Sequence, residues 1–297
     1  MKDDRPSATA MVVAAGCLSV ARSRALGFLV SEEWRGWLER FAAVFPPPER
    51  LWLRPLSGRV SRGLVELLER FAIPGLSLHF VLRKRMLERA VRAALVEGFA
   101  QVVVLGGGFD TLALRLAFLF PSVNFFELDH PATQRVKERV LKGDAPRNHR
   151  FFPVDFTRQP GETVLRGMPG FSRAKDTAFL CEGVLMYLPP REVDAVFSAI
   201  RQGVDGQARF LFTFMELQPN GRPHFRRTKA VSGAWLRFKG EPYLWGLPPE
   251  ELERFLSERG FSTKNLWGAD ELRAGVDIGE ALSAAGEWVA MAEKRVS

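Results

Sequence analysis

Three consecutive glycines at the end of a short apolar stretch are the residues best placed to do chemistry. The largely β-branched residues Gln101–Leu105 predict a buried strand, Gly106 to Gly108 follow at once, and a helical pattern begins after Thr111. Glycine lets the backbone turn sharply and lets a ligand come close, because no Cβ intervenes. A strand that ends in glycines and leads into a helix N-terminus is typical of a nucleotide-cofactor site.

The spacing of these glycines distinguishes two classes of cofactor. A dinucleotide site has the pattern G-x-G-x-x-G, because the first turn of the helix must approach a pyrophosphate closely. Thr111 occupies the position of the third glycine, so an NAD-dependent oxidoreductase is disfavoured. The pattern favours a cofactor without a pyrophosphate, and S-adenosylmethionine is the main candidate. An ordinary strand–helix turn without a ligand is the alternative interpretation.

Acidic residues follow at the ends of the next two predicted strands. The second strand ends in Glu127 and Asp129, about 20 residues after the glycines, where a ribose needs a carboxylate acceptor. The third strand contains Pro153, which is typical of an edge strand or a bulged strand, and it ends at Asp155 with Phe156 next. An acceptor beside an aromatic ring suits an adenine base, which presents an amino group and an apolar face.

Two further charged residues have positions that suit a ligand. Glu182 is the only charged residue in the predicted fourth strand, Thr177–Leu185. A buried carboxylate needs a partner, and at the carboxyl end of a central strand that partner is often a ligand. Arg83 lies near the start of the predicted helix Phe80–Glu97, where its guanidinium could meet a carboxylate above the glycine turn. A solvent-facing basic turn is the alternative for Arg83.

The predicted elements alternate between strands and helices. Five strands alternate with helices up to Ala208–Glu216, and a late pair follows at Phe261–Trp267 and Trp288–Lys294. This order predicts an α/β protein with a doubly wound, mostly parallel, Rossmann-like sheet. We expect a helical N-terminal extension or cap at 1–79, with helices over Ala8–Leu29, Ser31–Phe45 and Ser61–Phe71. A cofactor-binding domain is expected at 80–297. Within that domain, a substrate-side insertion is expected at 217–248, after the fifth strand.

Composition narrows the classes of protein. The chain has 297 residues, of which 46% are hydrophobic, and this suits one large domain with its own core. We find no apolar run of the roughly 18 residues that a membrane span requires, and the first six residues lack the basic character of a signal peptide. Cys17 and Cys181 suggest neither a disulfide framework nor a metal cluster. We therefore expect a cytoplasmic protein with no metal and no membrane partner.

The net charge of +8 is spread along the chain. Proteins that bind nucleic acids concentrate basic residues on one face or in one tract. The arginines here are scattered, and the densest run is Arg222–Lys229. We expect solvated helix faces and loops rather than a nucleic-acid partner, and the oligomeric state stays open.

Four motifs occur in order along residues 80–200, and they read RKRMLERAVRAALVEGFAQVVVLGGGFDTLALRL, FFELDHPATQRVKERVL, FFPVDF and CEGVLMYLPP. Together they resemble the leucine carboxyl methyltransferase family, in particular its bacterial S-adenosylmethionine-dependent members. The resemblance implies a class I methyltransferase fold with S-adenosylmethionine as the cofactor. The chain departs from the family at Gly107, where alanine is usual, and at Leu112, where arginine or threonine is common. Its last third matches poorly, which leaves the methyl acceptor open.

The resemblance implies roles for the residues around the amino-acid half of the cofactor. Arg83 would pair with the carboxylate, and Gly106 and Gly108 would pass under the methionine chain. Glu182 would contact the amino group, and Tyr187 would face the site of methyl transfer.

The resemblance implies a second set of roles around the nucleoside half. Asp129 would hold the ribose hydroxyls, with Glu127 beside it. Asp155 and Phe156 would border the adenine.

Methyl transfer from a sulfonium is an in-line displacement that depends mostly on alignment and on exclusion of water. A carboxylate acceptor needs no general base, whereas a hydroxyl acceptor can use one. His79, Glu216 and His224 are candidate bases, although an isolated histidine or glutamate is more often structural. Tyr187 could orient the acceptor or simply pack. We predict Tyr187 and Glu216 as the catalytic residues.

These observations predict an S-adenosylmethionine-dependent O-methyltransferase that acts on a carboxylate or hydroxyl of a small molecule. An RNA methyltransferase, a protein C-terminal carboxyl methyltransferase and a non-catalytic cofactor-binding protein are the alternatives. Transfer to the amino group of a base would favour an Asn/Asp-Pro-Pro-aromatic turn after the fourth strand. This chain has Cys-Glu-Gly-Val there, at 181–184.

Overall fold

The computed structural model describes residues 6–45, 73–155, 161–228, 233, 236–238, 240–278 and 283–295. Phe156, predicted beside the adenine, and the helix predicted over Ser61–Phe71 lie outside the described residues.

Helices and strands alternate through the middle of the chain. The described α-helices are α1 (Ala8–Ala21), α2 (Glu32–Val44), α3 (Leu76–Val96), α4 (Leu112–Leu119), α5 (Pro131–Leu141), α6 (Gly161–Gly167), α7 (Pro190–Gly203), α8 (Leu252–Glu258) and α9 (Ala269–Arg273). The described strands are β1 (Gln101–Leu105), β2 (Asn124–Asp129), β3 (His149–Pro153), β4 (Thr177–Cys181), β5 (Ala208–Glu216), β6 (Gly246–Leu247), β7 (Phe261–Trp267) and β8 (Glu287–Lys294). Short 3₁₀ helices occupy Gly27–Leu29, Leu185–Tyr187 and Pro249–Glu251. Within the described ranges, none of the helices has the length and apolarity to cross a membrane.

The strands form one sheet in the order β3-β2-β1-β4-β5-β8-β7, and the short β6 also pairs with β5. The first five strands pair in parallel, whereas β8 runs antiparallel to both β5 and β7. The predicted α/β class with a mostly parallel, doubly wound sheet is therefore confirmed. In such sheets, ligands bind at the carboxyl ends of the strands where the strand order reverses, here between β1 and β4.

The central strand β1 shows why this sheet has two covered faces. All five of its residues are buried. Val102 and Val104 pack into one apolar cluster, with α1, α2 and α3, while Val103 and Leu105 pack into another, with α7 and α8. Successive side chains in a strand point to opposite faces, so an unbroken apolar run predicts a strand covered by helices on both sides.

The N-terminal helices begin with the side-chain caps that the sequence favours. The Ser31 hydroxyl accepts from the N–H of Trp34 at 3.2 Å, as the predicted N-cap of α2. The predicted helix Ala8–Leu29 is too long, because α1 ends at Ala21. After that point, the carbonyl of Ser23 accepts from the N–H of Gly27, and the hydroxyl of Ser23 accepts from the N–H of Leu26. These hydrogen bonds form a local turn in place of a continued helix.

Two predicted strands have different bounds in the structure. The predicted strand Thr177–Leu185 ends at Cys181, because Gly183 has φ +65° and turns the chain into a 3₁₀ helix. The third strand is His149–Pro153 rather than 151–155, and it lies at the edge of the sheet, as Pro153 predicted. Both differences place acidic residues, Glu182 and Asp155, just beyond a strand end, where a ligand can be reached.

The aromatic contacts of α7 provide a test of the second apolar cluster. Phe197 is fully buried, with its ring centroid 5.1–5.5 Å from those of Phe210, Phe212, Phe255 and Phe261. We expect Phe197→Ala to lower the free energy of unfolding by about 3–5 kcal/mol, because it leaves a cavity in a packed core.

Urea denaturation followed by circular dichroism measures this change. Phe118→Ala is the matched control, because the Phe118 side chain is 51% exposed and its loss should cost less than about 1 kcal/mol. Equal costs for the two variants would contradict the packing described for α7.

Candidate functional site

The turn after β1 depends on glycine at two positions. Gly106 has φ +72° and Gly108 has φ +53°, both in the left-handed region that side chains disfavour. A Cβ at Gly106 would overlap Val184, which follows β4. The N–H of Gly106 donates to the carbonyl of Leu128 at 2.7 Å, so the turn is anchored to β2. The glycines therefore hold the backbone close to the ends of both neighbouring strands.

Asp129, the last residue of β2, lies directly at this turn. Its Oδ2 accepts from the N–H of Gly108 at 2.6 Å, and its Oδ1 accepts from the N–H of His130 at 2.6 Å. Burial, together with the negative charge of Glu127, raises the pKa of Asp129 to about 6. The carboxylate is thus held in place by the backbone, with a charge that the surroundings only partly compensate.

Glu127, two residues earlier, is compensated by cations. Its carboxylate forms a buried ion pair with Lys137 of α5 and lies 3.3 Å from the ring Nε2 of His149. Burial raises the pKa of Glu127, but Lys137 and His149 outweigh burial and lower that pKa below its ordinary value. A Cβ at Gly107 would overlap this carboxylate, so the ion pair packs directly against the glycine turn.

Arg83 lies between two carboxylates at the other side of the turn. Its Nη1 donates to both oxygens of Glu287, at 2.7 and 2.6 Å, and its Nε donates to Oε1 of Glu182 at 2.9 Å. All three side chains are at least nine-tenths buried. Burial lowers the pKa of Arg83, but the two carboxylates outweigh it and raise that pKa above its ordinary value. This group joins α3 to the end of β4 and to the start of β8.

Lys84 extends the same group of charges to the glycine turn. Its Nζ donates to Oε2 of Glu182 at 3.0 Å and lies 3.4 Å from Oδ1 of Asp110. Asp110 also accepts from the N–H of Thr111 at 2.7 Å, at the start of α4. Burial raises the pKa of Asp110, but Lys84 lowers it below its ordinary value. The predicted residues Arg83 and Glu182 are thus brought together beside Gly106 to Gly108.

Tyr187 lies at the end of the 3₁₀ helix that follows β4. Its ring centroid is 5.4 Å from that of Tyr243 in the insertion, and the nearby side chain of Thr9 in α1 acts to lower its pKa. Burial raises the pKa of Tyr187 well above its ordinary value, so the phenol stays neutral. The N–H groups of Ala8 and Thr9 donate to Glu241 of the insertion, at 3.2 and 2.9 Å. The first turn of α1 and the insertion therefore meet at Tyr187.

Glu216, at the end of β5, has a different set of partners. Its carboxylate accepts from Nε of Arg226 and from the indole N–H of Trp288, each at 3.0 Å. Burial raises the pKa of Glu216, but the hydrogen bonds from Arg226 and Trp288 lower it below the ordinary value. These contacts tie the insertion to β8, and they do not join Glu216 to the Arg83 group.

Asp155 follows β3 and is partly buried. The N–H of Val154 donates to the carbonyl of Asp129 at 2.8 Å, which places the segment after β3 beside the acid of β2. Where the structure describes the chain, it shows no group of three or more His, Cys, Asp or Glu that could hold a metal ion.

Two functional candidates were missed from the sequence. Glu287 stands at the start of an apolar strand, as Glu182 stands at the end of another. The sequence therefore indicated a carboxylate that needs a buried partner at 287 as well. Asp110 stands next to the glycine turn, where an acid can meet a cation from the preceding helix. In neither case does the sequence reveal the partner, because Arg83 lies 204 positions away from Glu287.

A model described as leucine carboxyl methyltransferase matches residues 18–201, which is more than half of the chain. This chain belongs to the leucine carboxyl methyltransferase family. The matched range contains the glycine turn, Asp129, Arg83 and Glu182, and it ends before Glu216 and Glu287.

Two curated relatives agree with this family. A protein of Mycolicibacterium vanbaalenii is 36% identical over 121 residues, 40% of this chain and 39% of its own length. The YktD protein of Bacillus subtilis is 30% identical over 184 residues, 58% of this chain and 57% of its own length. Both carry the provisional name S-adenosyl-L-methionine-dependent methyltransferase, which confirms the predicted cofactor at the level of the family. The matches span about two fifths to three fifths of these relatives.

Solved structures show the same fold at low identity. A provisionally assigned methyltransferase from Thermobifida fusca superposes with a TM-score of 0.58 at 19% identity, over 85% of this chain and 100% of its own. A DUF574 family protein from Streptomyces avermitilis has a TM-score of 0.58 at 12% identity, over 83% of this chain and 96% of its own. The methyltransferase-like fold is therefore confirmed.

The buried ion pair beside the glycine turn provides a test of this site. We expect Lys137→Met to lower the free energy of unfolding by about 3–5 kcal/mol, because it leaves the buried charge of Glu127 without its main partner. Adding Glu127→Gln should restore part of that loss, since the second change removes the uncompensated charge.

Urea denaturation of the two single variants and the double variant measures the coupling. The control is Arg254→Met, which removes an ion pair with Glu251 whose side chains are 72% and 45% exposed. Such a surface pair contributes about 0–1 kcal/mol. Strictly additive effects of the changes at 127 and 137 would contradict the ion pair.

Proposed function

We propose that this chain transfers the methyl group of S-adenosylmethionine to an oxygen atom of a small molecule. One observation carries the cofactor half of the proposal. The carboxylate of Asp129 is fixed at the glycine turn by two backbone N–H groups, and its pKa is raised to about 6. An acid that is held in place but poorly compensated is well suited to accept the two hydroxyl donors of a ribose.

The group of charges around Arg83 suits the amino-acid end of the same cofactor. A methionine end carries a carboxylate and an ammonium, so it matches a site that presents a guanidinium and a carboxylate side by side. Within the protein, Arg83 and Glu182 compensate each other. We propose that the zwitterion pairs with both, its carboxylate with Arg83 and Lys84, and its ammonium with Glu182. The total charge of the buried group is then unchanged.

When bound, S-adenosylmethionine supplies a methyl group that the positive sulfur already activates. What the chain contributes is alignment and exclusion of water. The first turn of α1 suits the second task, because a Cβ at Gly108 would lie only 3.2 Å from that of Ala10. The N–H of Ser7 also donates to the Thr133 hydroxyl at the start of α5, at 3.1 Å. This end of α1 therefore covers the glycine turn.

A third apolar cluster supports a small, apolar acceptor. It lies at the carboxyl ends of β4 and β5, with Leu76, Tyr187 and Tyr243 packed against its five buried residues: Ile73, Met186, Met215, Phe225 and Ala284. Methionine and aromatic side chains adapt to the shape of apolar ligands. Tyr187 belongs to this cluster, and we propose that it orients the acceptor. Glu216, predicted as catalytic, is better suited to hold the insertion on β8 through Arg226 and Trp288.

Isothermal titration calorimetry with S-adenosylhomocysteine and with NAD tests the function as a whole. We expect the first to bind and the second not to bind, because no third glycine makes room for a pyrophosphate. Binding of NAD, or of neither ligand, would exclude the proposal.

A variant of Asp129 tests the role of the ribose acid. We expect Asp129→Asn to weaken binding of S-adenosylhomocysteine and of adenosine about 10- to 100-fold, because hydrogen bonds to a charged acceptor are lost. Adenine has no ribose and should lose nothing. Glu182→Gln, at the amino-acid end, should weaken S-adenosylhomocysteine but not adenosine. Asp144→Asn is the surface control, since that side chain is 54% exposed. Unchanged affinity for adenosine in Asp129→Asn would refute the ribose assignment.

The raised pKa of Asp129 predicts how binding depends on pH. Because the folded-state pKa of about 6 lies above the ordinary 3.8, the neutral acid stabilises the ligand-free protein, and this contribution is lost as pH rises from about 4 to 6. The ribose needs the ionised form. We therefore expect the affinity for S-adenosylhomocysteine to be constant above pH 7 and to fall below pH 6, by up to about tenfold per pH unit. Titrations from pH 5 to 8 measure this, and Asp129→Asn should flatten the profile.

A further inference from the structure

His79 is a buried histidine one helical turn before Arg83. Its side chain is fully buried, and its Nε2 lies 2.9 Å from Oε2 of Glu287. Arg83 contacts the same carboxylate. Residues four apart on a helix share a face, so α3 presents both of these side chains to the first residue of β8.

The contact with Glu287 decides which ring nitrogen of His79 carries the proton. Burial raises the pKa of Glu287, but Arg83 and His79 lower it to about 2, so the group is an ionised carboxylate that can only accept hydrogen bonds. Nε2 must therefore be the donor. In the neutral imidazole, Nδ1 then has a free lone pair. That Nδ1 is buried and has no hydrogen-bond partner in the described part of the chain. A buried acceptor without a partner is unfavourable, because it has lost its hydrogen bonds to water.

The surroundings of His79 are those of the proposed acceptor site. Its ring meets that of Phe225 edge-on, with centroids 5.5 Å apart, and Phe225 belongs to the apolar cluster with Met186 and Met215. The charge of Glu287 is felt by both Tyr187 and Tyr243 of that cluster. The histidine therefore connects the Arg83 group, which suits the amino-acid end of the cofactor, to the cluster that suits the acceptor.

The charges near the cluster disfavour an anionic acceptor. Arg83 is paired with Glu287 and Glu182, and Arg226, which follows Phe225, is paired with Glu216. A carboxylate brought against the cluster would meet Glu287 without an unpaired cation from these two arginines. Burying such a charge without a partner is costly, whereas a neutral hydroxyl avoids this cost and can donate to Nδ1.

We propose that His79 is the general base for methylation of a neutral hydroxyl on a ring-bearing, apolar small molecule, and that Glu287 is the positioning residue that fixes its tautomer. The inference rests on the proposed methyltransferase function. In this step the hydroxyl oxygen attacks the methyl carbon and forms the new C–O bond. The C–S bond breaks, and its electron pair stays on the sulfur, which becomes a neutral thioether. The hydroxyl proton passes to Nδ1, and the imidazolium formed is stabilised by Glu287.

The other two candidate bases are already engaged by donors, and the hydrogen bonds that lower the pKa of Glu216 make it a weaker base. Both oxygens of Glu216 accept from the Arg226 side chain. Both ring nitrogens of His224 have partners, namely the carbonyl of Phe225 at 2.8 Å and the amide of Asn220 at 3.0 Å. Because His79 is fully buried, an acceptor reaches it only when its packing, which includes the edge contact with Phe225, opens.

Nitrogen-15 NMR of labelled histidine side chains tests the tautomer directly. The chain has four histidines, and loss of one signal set in His79→Gln assigns His79. With S-adenosylhomocysteine bound, we expect His79 at pH 7.5 to be neutral, with the proton on Nε2. Saturating 2-naphthol should shift the Nδ1 signal, and 2-naphthoate should not. A proton on Nδ1, a doubly protonated ring, no shift with 2-naphthol, or a shift with 2-naphthoate would each overturn the proposal.

Kinetics with a panel of naphthols and naphthoic acids adds a test of the chemistry, with labelled methyl groups counted in the product. We expect transfer to naphthols, and a loss of about 100-fold in kcat for His79→Gln, the lower end of general-base effects. The affinity for S-adenosylhomocysteine should change less than threefold. Transfer only to the acids, no transfer to any naphthol, or full activity of the variant would contradict a base at His79.

The pH dependence separates a base from a structural histidine. The loss in His79→Gln should shrink as pH rises toward about 10, the pKa of a phenol, because the ionised acceptor needs no base. The other titratable groups around His79 do not interfere, since Glu287 and Arg83 stay charged, and burial raises the pKa of Tyr187 and Tyr243. Calorimetry on the same samples separates the two proposals. If the wild type fails to bind S-adenosylhomocysteine, the function itself is wrong. If it binds but His79 behaves otherwise, only this inference is wrong.

Discussion

The buried guanidinium of Arg83 is the interaction on which the rest of the site depends. It holds Glu182 after β4 and Glu287 at the start of β8, so one side chain joins the parallel half of the sheet to its antiparallel edge. A buried charge of this kind is stable only while its partners remain. The helix that carries it leads directly into β1 and the glycine turn. The packing of α3 therefore fixes the charges, the turn and the strand ends relative to one another.

Two acids at the end of β2 show how burial and partners shift the pKa values of neighbouring carboxylates in opposite directions. Glu127 has Lys137 and His149 against it, and its pKa is lowered. At Asp129, burial and the charge of Glu127 outweigh Lys137 and the backbone N–H groups, and its pKa is raised. The first therefore anchors the turn to α5, whereas the second is the acid that we propose to bind the ribose. This division is typical of functional sites, where neighbouring groups are pushed apart in pKa.

The parts of the chain outside the core sheet meet over the site. The first turn of α1 meets three features of the site. Its Ala10 lies against the glycine turn, its Thr9 lies beside Tyr187, and the N–H of Thr9 donates to Glu241 of the insertion. The insertion also supplies Phe225 and Tyr243 to the apolar cluster. The proposed cofactor and acceptor sites are thus covered by elements that the alternating order of strands and helices does not itself require. Variation in these elements is a physical route by which one family could accept different acceptors.

The sequence by itself determined the order of strands and helices, the glycine turn, the edge position of Pro153 and the family, because these depend on local periodicity, on backbone freedom and on contiguous motifs. Local patterns also placed Asp129 and Glu182 at strand ends. Only the tertiary structure decided their partners. Glu287, 204 positions from Arg83, shares a buried ion pair with it, and His79 gains a defined tautomer from the same carboxylate. The sequence could not separate Glu216 from His79 as a base, because each role depends on whether a distant cation or an apolar cluster lies alongside, and spacing along the chain carries no record of such contacts.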